Sequence, residues 1–354
     1  MLKHMLVRLA MILLMSVQLM PAGASASSED ASCTRHDLDV ALVPADPTSY
    51  RVAGWLCATA PYAGQTVILA SPPGLATHAY WDWPADKDTY SFVRHATRAG
   101  FAVFNYDRIG TGESDRPAAV LVSVQTEAYL QHQLVERLRG GDIGGVAFGN
   151  VALAGNSLST LINIFQAEAY DDVDGLINTG IVVGPSPIGL AELFMAFYPA
   201  QADPKFAGRD DIPLGYATTQ PGSRDQFFHL PAADPATVAL DEALKDTATA
   251  GEAVTFGTWY PLTRLVRVPV LSVIGDHDGL ACLTVCESGG PEETKEQLFW
   301  SSATCFEMQI VPSAGHFLQL QPNSAAAFEG IGLDWLTRRV GLDTAQVATH
   351  PCAA

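Results

Sequence analysis

The chain has 354 residues, of which 48% are hydrophobic and only 16% are charged, and its formal net charge is −18. The high apolar fraction can bury a large core, so the composition excludes a mainly disordered chain, and the length fits one large α/β domain with an insertion or two modest domains. The acidic excess argues against nucleic acids and anionic membrane surfaces as partners, because phosphate binding needs a basic surface.

The N-terminus has the pattern of a secretory signal peptide at residues 1–26. A short basic stretch precedes the apolar run of residues 9–20, and small residues follow it. That run is shorter than the ~20 residues of a membrane-spanning helix. We therefore expect cleavage after Ala24 or Ala26, secretion, and no stable membrane anchor. Loss of the two basic residues of this segment would change the net charge from −18 to −20.

All six cysteines follow the predicted signal peptide. An even number of cysteines in an oxidising compartment favours disulfides. Cys33 and Cys57 flank a predicted N-terminal β-hairpin, and we predict that they pair. The sequence does not decide the pairing of the other four: Cys282, Cys286, Cys305 and Cys352. The spacing of Cys282 and Cys286 would also suit half of a zinc site, but no second close pair of Cys or His completes four ligands.

Hydrophobic patterning predicts strands that alternate with helices. The predicted strands are residues 37–43, 50–57, 66–70, 101–106, 151–154, 175–183, 268–274 and 306–311. The predicted helices are residues 88–99, 123–139, 158–169 and 324–339. The later strands are continuous apolar runs, which is typical of parallel strands buried on both faces. An early antiparallel pair followed by β–α repeats predicts an α/β fold with a mostly parallel central sheet flanked by helices.

The alternation is interrupted at residues 184–262. This segment is rich in proline and aromatic residues and lacks β–α repeats, so we interpret it as an inserted cap. Residues 27–183 and 263–354 would then form the two parts of one catalytic domain. The cap offers aromatic side chains for binding an apolar group. They are Phe194, Phe197, Tyr198, Phe206, Tyr216, Phe227, Phe228 and Trp259.

A candidate nucleophile lies between a predicted strand and a predicted helix, in Gly155-Asn156-Ser157-Leu158-Ser159. A serine on such a sharp turn has a strained backbone and an exposed hydroxyl, and the residues two positions before and after it must be small. Gly155 and Ser159 are small, although serine at the second position departs from the usual glycine. We predict that Ser157 is a nucleophile.

A candidate acid and a candidate base follow two later strands. A neutral imidazole at His316 could accept the proton of a serine hydroxyl. A carboxylate at Asp276 or Asp278 could orient that imidazole, and we prefer Asp278 because it lies three residues beyond the strand-end glycine. Other loop histidines compete for the role of base: His78, His229 and His277.

The order Ser157, Asp278, His316, with each residue at a separate strand end, is the order that the α/β-hydrolases use. Over essentially the whole mature chain, the sequence resembles the α/β-hydrolase superfamily, in particular secreted bacterial serine esterases and lipases with a cap. Residues 106–114 also resemble the Asp-Arg-x-Gly-x-Gly-x-Ser turn after the fourth strand of this family. We interpret its Asp-Arg pair as residues that brace the turn rather than as catalytic residues.

The resemblance implies an oxyanion hole made by the N–H after the nucleophile, here Leu158, and by an N–H from the loop after the third strand. The family usually has His-Gly in that loop, whereas this chain has Ser-Pro-Pro-Gly-Leu. Pro72 and Pro73 have no N–H. Gly74 is therefore the nearest candidate donor, and Leu75 is the second.

A serine nucleophile implies an acyl-enzyme. The epoxide hydrolases and haloalkane dehalogenases of the family that this sequence resembles attack with an aspartate instead. We predict a secreted carboxylic-ester hydrolase that acts on a small-molecule or lipid-like ester, in which Ser157 attacks, His316 transfers the proton and Asp278 orients the imidazole. No cofactor or metal motif is evident, and we predict neither. The alternatives are an amidase or aminopeptidase, a carbon–carbon bond hydrolase, and a catalytically silent binding protein on the same fold. The sequence leaves the oligomeric state and the natural substrate open.

Overall fold

The computed structural model of the protein describes residues 31–59, 64–258, 262–301 and 304–343. The predicted signal peptide, Trp259 and Cys352 lie outside the described residues. The strands are β1 (Ser32–Val40), β2 (Tyr50–Ala58), β3 (Val67–Ser71), β4 (Ala102–Tyr106), β5 (Val151–Asn156), β6 (Gly175–Thr179), β7 (Phe197–Pro199), β8 (Tyr216–Thr219), β9 (Ala248–Thr249), β10 (Val270–Gly275) and β11 (Glu307–Val311). The helices are α1 (Lys87–Tyr90), α2 (Phe92–Arg98), α3 (Val124–Gly140), α4 (Leu158–Tyr170), α5 (Pro187–Met195), α6 (Pro235–Leu244), α7 (Ala250–Thr255), α8 (Pro291–Phe299) and α9 (Pro322–Arg339).

Within the described part of the chain, eight strands form the main sheet in the order β1-β2-β4-β3-β5-β6-β10-β11. The strands from β4 to β11 in this order are mutually parallel, and β2 runs antiparallel to both of its neighbours, β1 and β4. Helices α3 and α4 pack together on one face, while α1, α2 and α9 pack together on the other. This arrangement confirms the predicted α/β fold and explains why the central strands are apolar throughout.

The first strand, expected at residues 37–43, runs from Ser32 to Val40. Two further predicted elements end or divide where one residue interrupts them. The strand expected at residues 175–183 ends at Thr179, because Gly180 has a φ of 71° and turns the chain away from the sheet. The helix expected at residues 88–99 is split into α1 and α2, since Ser91 is extended and its hydroxyl caps α2 by accepting the N–H of Arg94. In both places a single residue's backbone angle ends a pattern that hydrophobicity alone would continue.

Residues 184–258, which we call the insertion, add no strand to the main sheet. They contain α5, α6, α7 and a separate antiparallel sheet in the order β7-β8-β9. They fall within the predicted cap of residues 184–262, whose function as a cap remains a proposal. Among the described residues, no helix has both the length and the apolarity needed to cross a membrane.

A buried ion cluster joins the insertion to the main domain. Arg108, on the turn after β4 and 1% exposed, donates from Nη1 to Glu127 of α3 and to Glu252 of α7. Burial raises the pKa of Glu127, against the opposing effect of the Arg108 charge. Asp107, the neighbouring residue, accepts the backbone N–H groups of His78 and Glu113. The Asp-Arg pair therefore braces this turn, and removing Arg108 would leave two carboxylates buried without their cation.

The predicted pairing of Cys33 with Cys57 is confirmed. These residues are directly opposite each other in the β1–β2 register, with their Cα atoms 4.0 Å apart. A second disulfide joins Cys282 to Cys286, which are four positions apart in the sequence. Cys305 is also disulfide-bonded.

We expect Cys33→Ala/Cys57→Ala to lower the free energy of unfolding by about 2–4 kcal/mol, because the disulfide restricts the unfolded chain at a hairpin on the edge of the sheet. Denaturant unfolding of the folded, purified variant measures this loss. An unchanged unfolding midpoint would show that the hairpin does not depend on the bond.

Candidate active site

Ser157 lies on the turn between β5 and α4. Its φ of 56° and ψ of −118° lie outside the regions that ordinary residues favour, and its N–H donates to the Thr179 carbonyl at 2.8 Å. A β-carbon at Gly155 would lie 2.8 Å from the backbone carbonyl of Ser159. Glycine at position 155 therefore lets the first turn of α4 pass close to β5, as the sequence pattern predicts.

Ser159 has a contact that the sequence pattern does not reveal. Its hydroxyl lies 2.9 Å from the hydroxyl of Ser71, at the end of β3, and donates to the carbonyl of Pro72. The Tyr106 hydroxyl donates in turn to Ser71 at 3.0 Å. These bonds form a continuous buried chain from Tyr106 to Pro72, so the serine that replaces the usual glycine attaches α4 to the loop after β3.

His316 and Asp278 contact each other at the ends of β11 and β10. The Nδ1 atom of His316 lies 3.0 and 3.1 Å from the two carboxylate oxygens of Asp278, and the side chains are 1% and 0% exposed. Asp276, the alternative acid, instead contacts His277 at 2.6 Å and accepts the N–H of Ala314. Of the two carboxylates, Asp278 is the one that touches the His316 imidazole.

Two residues whose roles the sequence did not reveal determine how His316 lies next to the end of β5: one leaves space for it and the other binds it. A β-carbon at Gly180, whose φ is 71°, would lie 2.8 Å from Cε1 of His316. The side-chain amide of Asn156 donates to the His316 carbonyl at 3.2 Å and to the Thr179 hydroxyl at 2.8 Å. The position of Asn156 next to Ser157 is the feature of the sequence that could have indicated its role. Its partner His316, however, lies 160 residues away in the sequence.

Ser157 and His316 line the same cavity. Its walls are mostly apolar, and those from the insertion include the predicted residues Phe194, Phe197 and Phe227. Its remaining lining is Gly74, Leu75, Leu158, Leu193, Ala248, Thr249, Glu252, Ala253, Phe256 and Phe317. The other predicted aromatic residues have different contacts: Tyr198 bonds Asp203, Tyr216 bonds the Pro117 carbonyl and packs with Phe206, and Phe228 packs against Phe317.

The two candidate oxyanion donors are adjacent at this cavity. A β-carbon at Gly74 would lie 3.5 Å from Cβ of Leu158. Leu158 is the first residue of α4, where a backbone N–H has no partner within the helix. Leu75, the second candidate from the loop, also lines the cavity and has a φ of 66°.

A family model described as the alpha/beta hydrolase family matches residues 67–328. The chain belongs to the alpha/beta hydrolase family. No curated protein sequence matches the chain. The matched range includes every residue of the predicted nucleophile, acid and base.

Solved structures of alpha/beta hydrolases share this fold at low sequence identity. A thermophilic esterase from Thermogutta terrifontis is 17% identical, with a TM-score of 0.58 over 85% of this chain and 98% of that chain. A monoacylglycerol lipase from Paleococcus ferrophilus is 16% identical, with a TM-score of 0.53 over 80% and 98%. A meta-cleavage product hydrolase from Pseudomonas fluorescens IP01 is 14% identical, with a TM-score of 0.54 over 81% and 94%.

The three other loop histidines that were candidates for the base of this alpha/beta hydrolase are not among the described residues that line the cavity. His78 contacts Asp107 at 2.9 Å and stacks on Trp55. The rings of His229 and His277 contact each other at a tilted angle with centroids 3.8 Å apart, and burial lowers the pKa of His229. Within the same part of the chain, no three His, Cys, Asp or Glu side chains are grouped so as to bind a metal ion.

We expect Gly155→Ala to lower the free energy of unfolding by about 1–3 kcal/mol, because the added methyl group would clash with the backbone of α4. Gly330→Ala is a matched control at an exposed position of α9, where the added carbon would meet no atom within 4 Å apart from its chain neighbours and the backbone of its own helix. That control should stabilise the protein by about 0.5–1 kcal/mol. Urea unfolding of both variants decides the prediction, and equal effects of the two substitutions would contradict it.

Proposed function

We propose that this alpha/beta hydrolase is a secreted serine hydrolase that cleaves carboxylic esters through an acyl-enzyme. The observation that carries the proposal is one cavity lined by both Ser157 and His316, with the buried carboxylate of Asp278 on Nδ1 of that histidine. Nε2 of His316 has no hydrogen-bond partner among the described residues. This nitrogen makes no hydrogen bond to Ser157 in the structure, and in the proposal it accepts the serine proton once the hydroxyl turns toward it.

In the proposed reaction, the Ser157 hydroxyl attacks the ester carbonyl while His316 accepts its proton at Nε2. The Asp278 carboxylate holds the imidazole by Nδ1 and stabilises its positive charge. The negative charge on the carbonyl oxygen is stabilised by the N–H groups of Leu158 and Gly74. The alcohol leaves with the proton from His316, and a water molecule then attacks the acyl-enzyme by the same route, releasing the acid and restoring Ser157.

The cavity favours an uncharged, apolar acyl or alcohol group. Its charged lining residue, Glu252, is already engaged by Arg108 and by the N–H of Thr249. Because Arg108 counters the charge of Glu252, an anionic substrate is disfavoured by the apolar lining, which would strip water from the anion, and by the net charge of −18 at long range. Neutral small-molecule or lipid-like esters are the substrate class that this lining supports, with the insertion as the cap that completes the cavity.

Secretion and ester specificity are supported by separate observations. The disulfides of the described residues suit an oxidising compartment, as does the signal-like pattern of residues 1–26. Two of the similar solved structures are an esterase and a monoacylglycerol lipase. An amidase, an aminopeptidase or a carbon–carbon bond hydrolase would use the same three side chains, so turnover of esters against amide and C–C substrates separates these reactions.

We expect Ser157→Ala to abolish labelling by a fluorophosphonate probe and to lower kcat/KM for p-nitrophenyl esters by roughly 10⁴-fold or more, because no other hydroxyl would be activated at the cavity. The measurement uses esters of several chain lengths and requires an unchanged unfolding midpoint. Equal turnover by the variant and the natural protein would refute the serine mechanism. Absence of labelling and turnover in the natural protein would favour the silent binding protein.

The two neighbouring carboxylates provide a matched test of the acid. We expect Asp278→Asn to lower kcat by about 10²–10⁴-fold, because the amide cannot stabilise the charged imidazole. Asp276→Asn removes a similar carboxylate that touches His277 instead, and it should change kcat by less than about tenfold. Steady-state kinetics of both variants measures the contrast, and a larger loss in Asp276→Asn would reverse the assignment.

A further inference from the structure

The Cys282–Cys286 disulfide lies in the irregular loop between β10 and α8, shortly after Asp278. Its two cysteines are 3% and 2% exposed and belong to a buried apolar cluster with Ile274 of β10 and Met308 of β11. The residues between them are exposed, including Leu283 at 68%. The bond therefore fixes two buried points of a loop whose middle faces solvent.

Both ends of this small ring are attached to the segment that carries Asp278. The N–H of Cys282 donates to the Asp278 carbonyl at 2.8 Å. The N–H of Cys286 donates to the Asp276 carbonyl at 2.9 Å. A disulfide that holds these two donors together also fixes the backbone on both sides of His277.

The same turn orients the Asp278 side chain. Its Oδ1 atom accepts the N–H of Leu280 at 3.0 Å and the N–H of Ala281 at 3.3 Å, while both carboxylate oxygens lie near Nδ1 of His316. Ala281 directly precedes Cys282. Displacement of the ring would therefore move the two N–H donors that aim the carboxylate.

Global stability does not explain this bond well. Closing a ring between residues four positions apart removes less chain entropy from the unfolded state than the Cys33–Cys57 bond, which spans 24 positions. The effect of a short ring is concentrated on the conformation of the loop that it closes. Because this loop carries the N–H groups that bind the Asp278 carboxylate, a restraint on the loop is also a restraint on that side chain.

We propose that the Cys282–Cys286 disulfide is a positioning element that keeps the Asp278 carboxylate directed at His316. The contribution to turnover rests on the proposed function, because it acts through the acid of the serine mechanism. The geometric part, which is that the bond holds the Asp278 turn in place, does not depend on any activity.

Hydrogen exchange tests the geometric part without a substrate. Cys282→Ala/Cys286→Ala should speed exchange of the Leu280 and Ala281 amides by about tenfold or more, since their bonds to Asp278 would open more often. Cys33→Ala/Cys57→Ala is the matched control, which removes the other disulfide. Once exchange is corrected for its lower free energy of unfolding, these two amides should open locally no more often than in the natural protein. Unchanged protection in the first variant, or equal loss of protection in both, overturns the proposal.

Kinetics then tests the link to turnover. With p-nitrophenyl butyrate, Cys282→Ala/Cys286→Ala should lower kcat by about tenfold with little change in KM, because a small misplacement affects the reacting geometry and not the apolar cavity. The same pair of substitutions in an Asp278→Asn background should cause no further loss. An equal additional loss in that background would mean that the disulfide acts elsewhere, and an unchanged kcat would mean that it does not act at all.

The two proposals fail in different ways. If the natural protein neither turns over esters nor reacts with the fluorophosphonate probe, the proposed function fails, and the exchange measurement still decides whether the bond holds the Asp278 turn. If the alanine pair does not fold, Cys282→Ser/Cys286→Ser, which preserves the side-chain size, carries both measurements. Turnover with unchanged exchange would leave the serine mechanism in place and remove the positioning role.

Discussion

The strained turn at Ser157 is the constraint on which the arrangement of the site depends. A positive φ at this residue is tolerated only because Gly155 lets α4 approach β5 and because the Ser157 N–H is bonded to the end of β6. The turn points the hydroxyl out of the sheet edge at which the parallel strands all end. The loops after β3, β10 and β11 leave from the same edge, so a nucleophile there meets side chains from distant parts of the sequence.

The loop after β3 is bound from two sides through its carbonyl groups, which compensates for the N–H groups that its two prolines lack. Two prolines remove N–H groups that could otherwise anchor it. On one side, the hydroxyl of Ser159 binds the carbonyl of Pro72. On the other, the insertion binds the carbonyl of Leu75 through the N–H of Asp246 at 2.8 Å and through Arg224 at 3.3 Å. The insertion therefore contributes to the position of this loop as well as to the walls of the cavity.

Buried charges attach the insertion to the domain beneath it. Within the insertion, Arg224 pairs with both carboxylate oxygens of Asp241, at 2.6 and 2.8 Å. The same guanidinium lies over the ring of Phe317, which belongs to the main domain and lines the cavity. An ion pair between Arg108 and Glu252 of α7 crosses from the main domain to the insertion. Breaking such a pair leaves a charge buried without its partner. The insertion is thus attached to the main domain at several points around the cavity. These polar contacts hold in place the apolar side chains that form the cavity wall.

The sequence by itself determined the strands of the main sheet, three of its flanking helices, the Cys33–Cys57 pairing and the order of Ser157, Asp278 and His316. These follow from local patterns: hydrophobic periodicity, small residues at a tight turn, and polar residues after buried strands. Tertiary structure alone decided that Asp278 and not Asp276 touches His316 and that Ser159 holds the loop after β3. It likewise decided that Gly180 leaves room for the imidazole and that Asn156 binds the His316 carbonyl. It also paired Cys282 with Cys286. Each of these depends on which side chains the fold brings together, and a local pattern carries no information about neighbours that are distant in the chain or about the direction in which a loop turns.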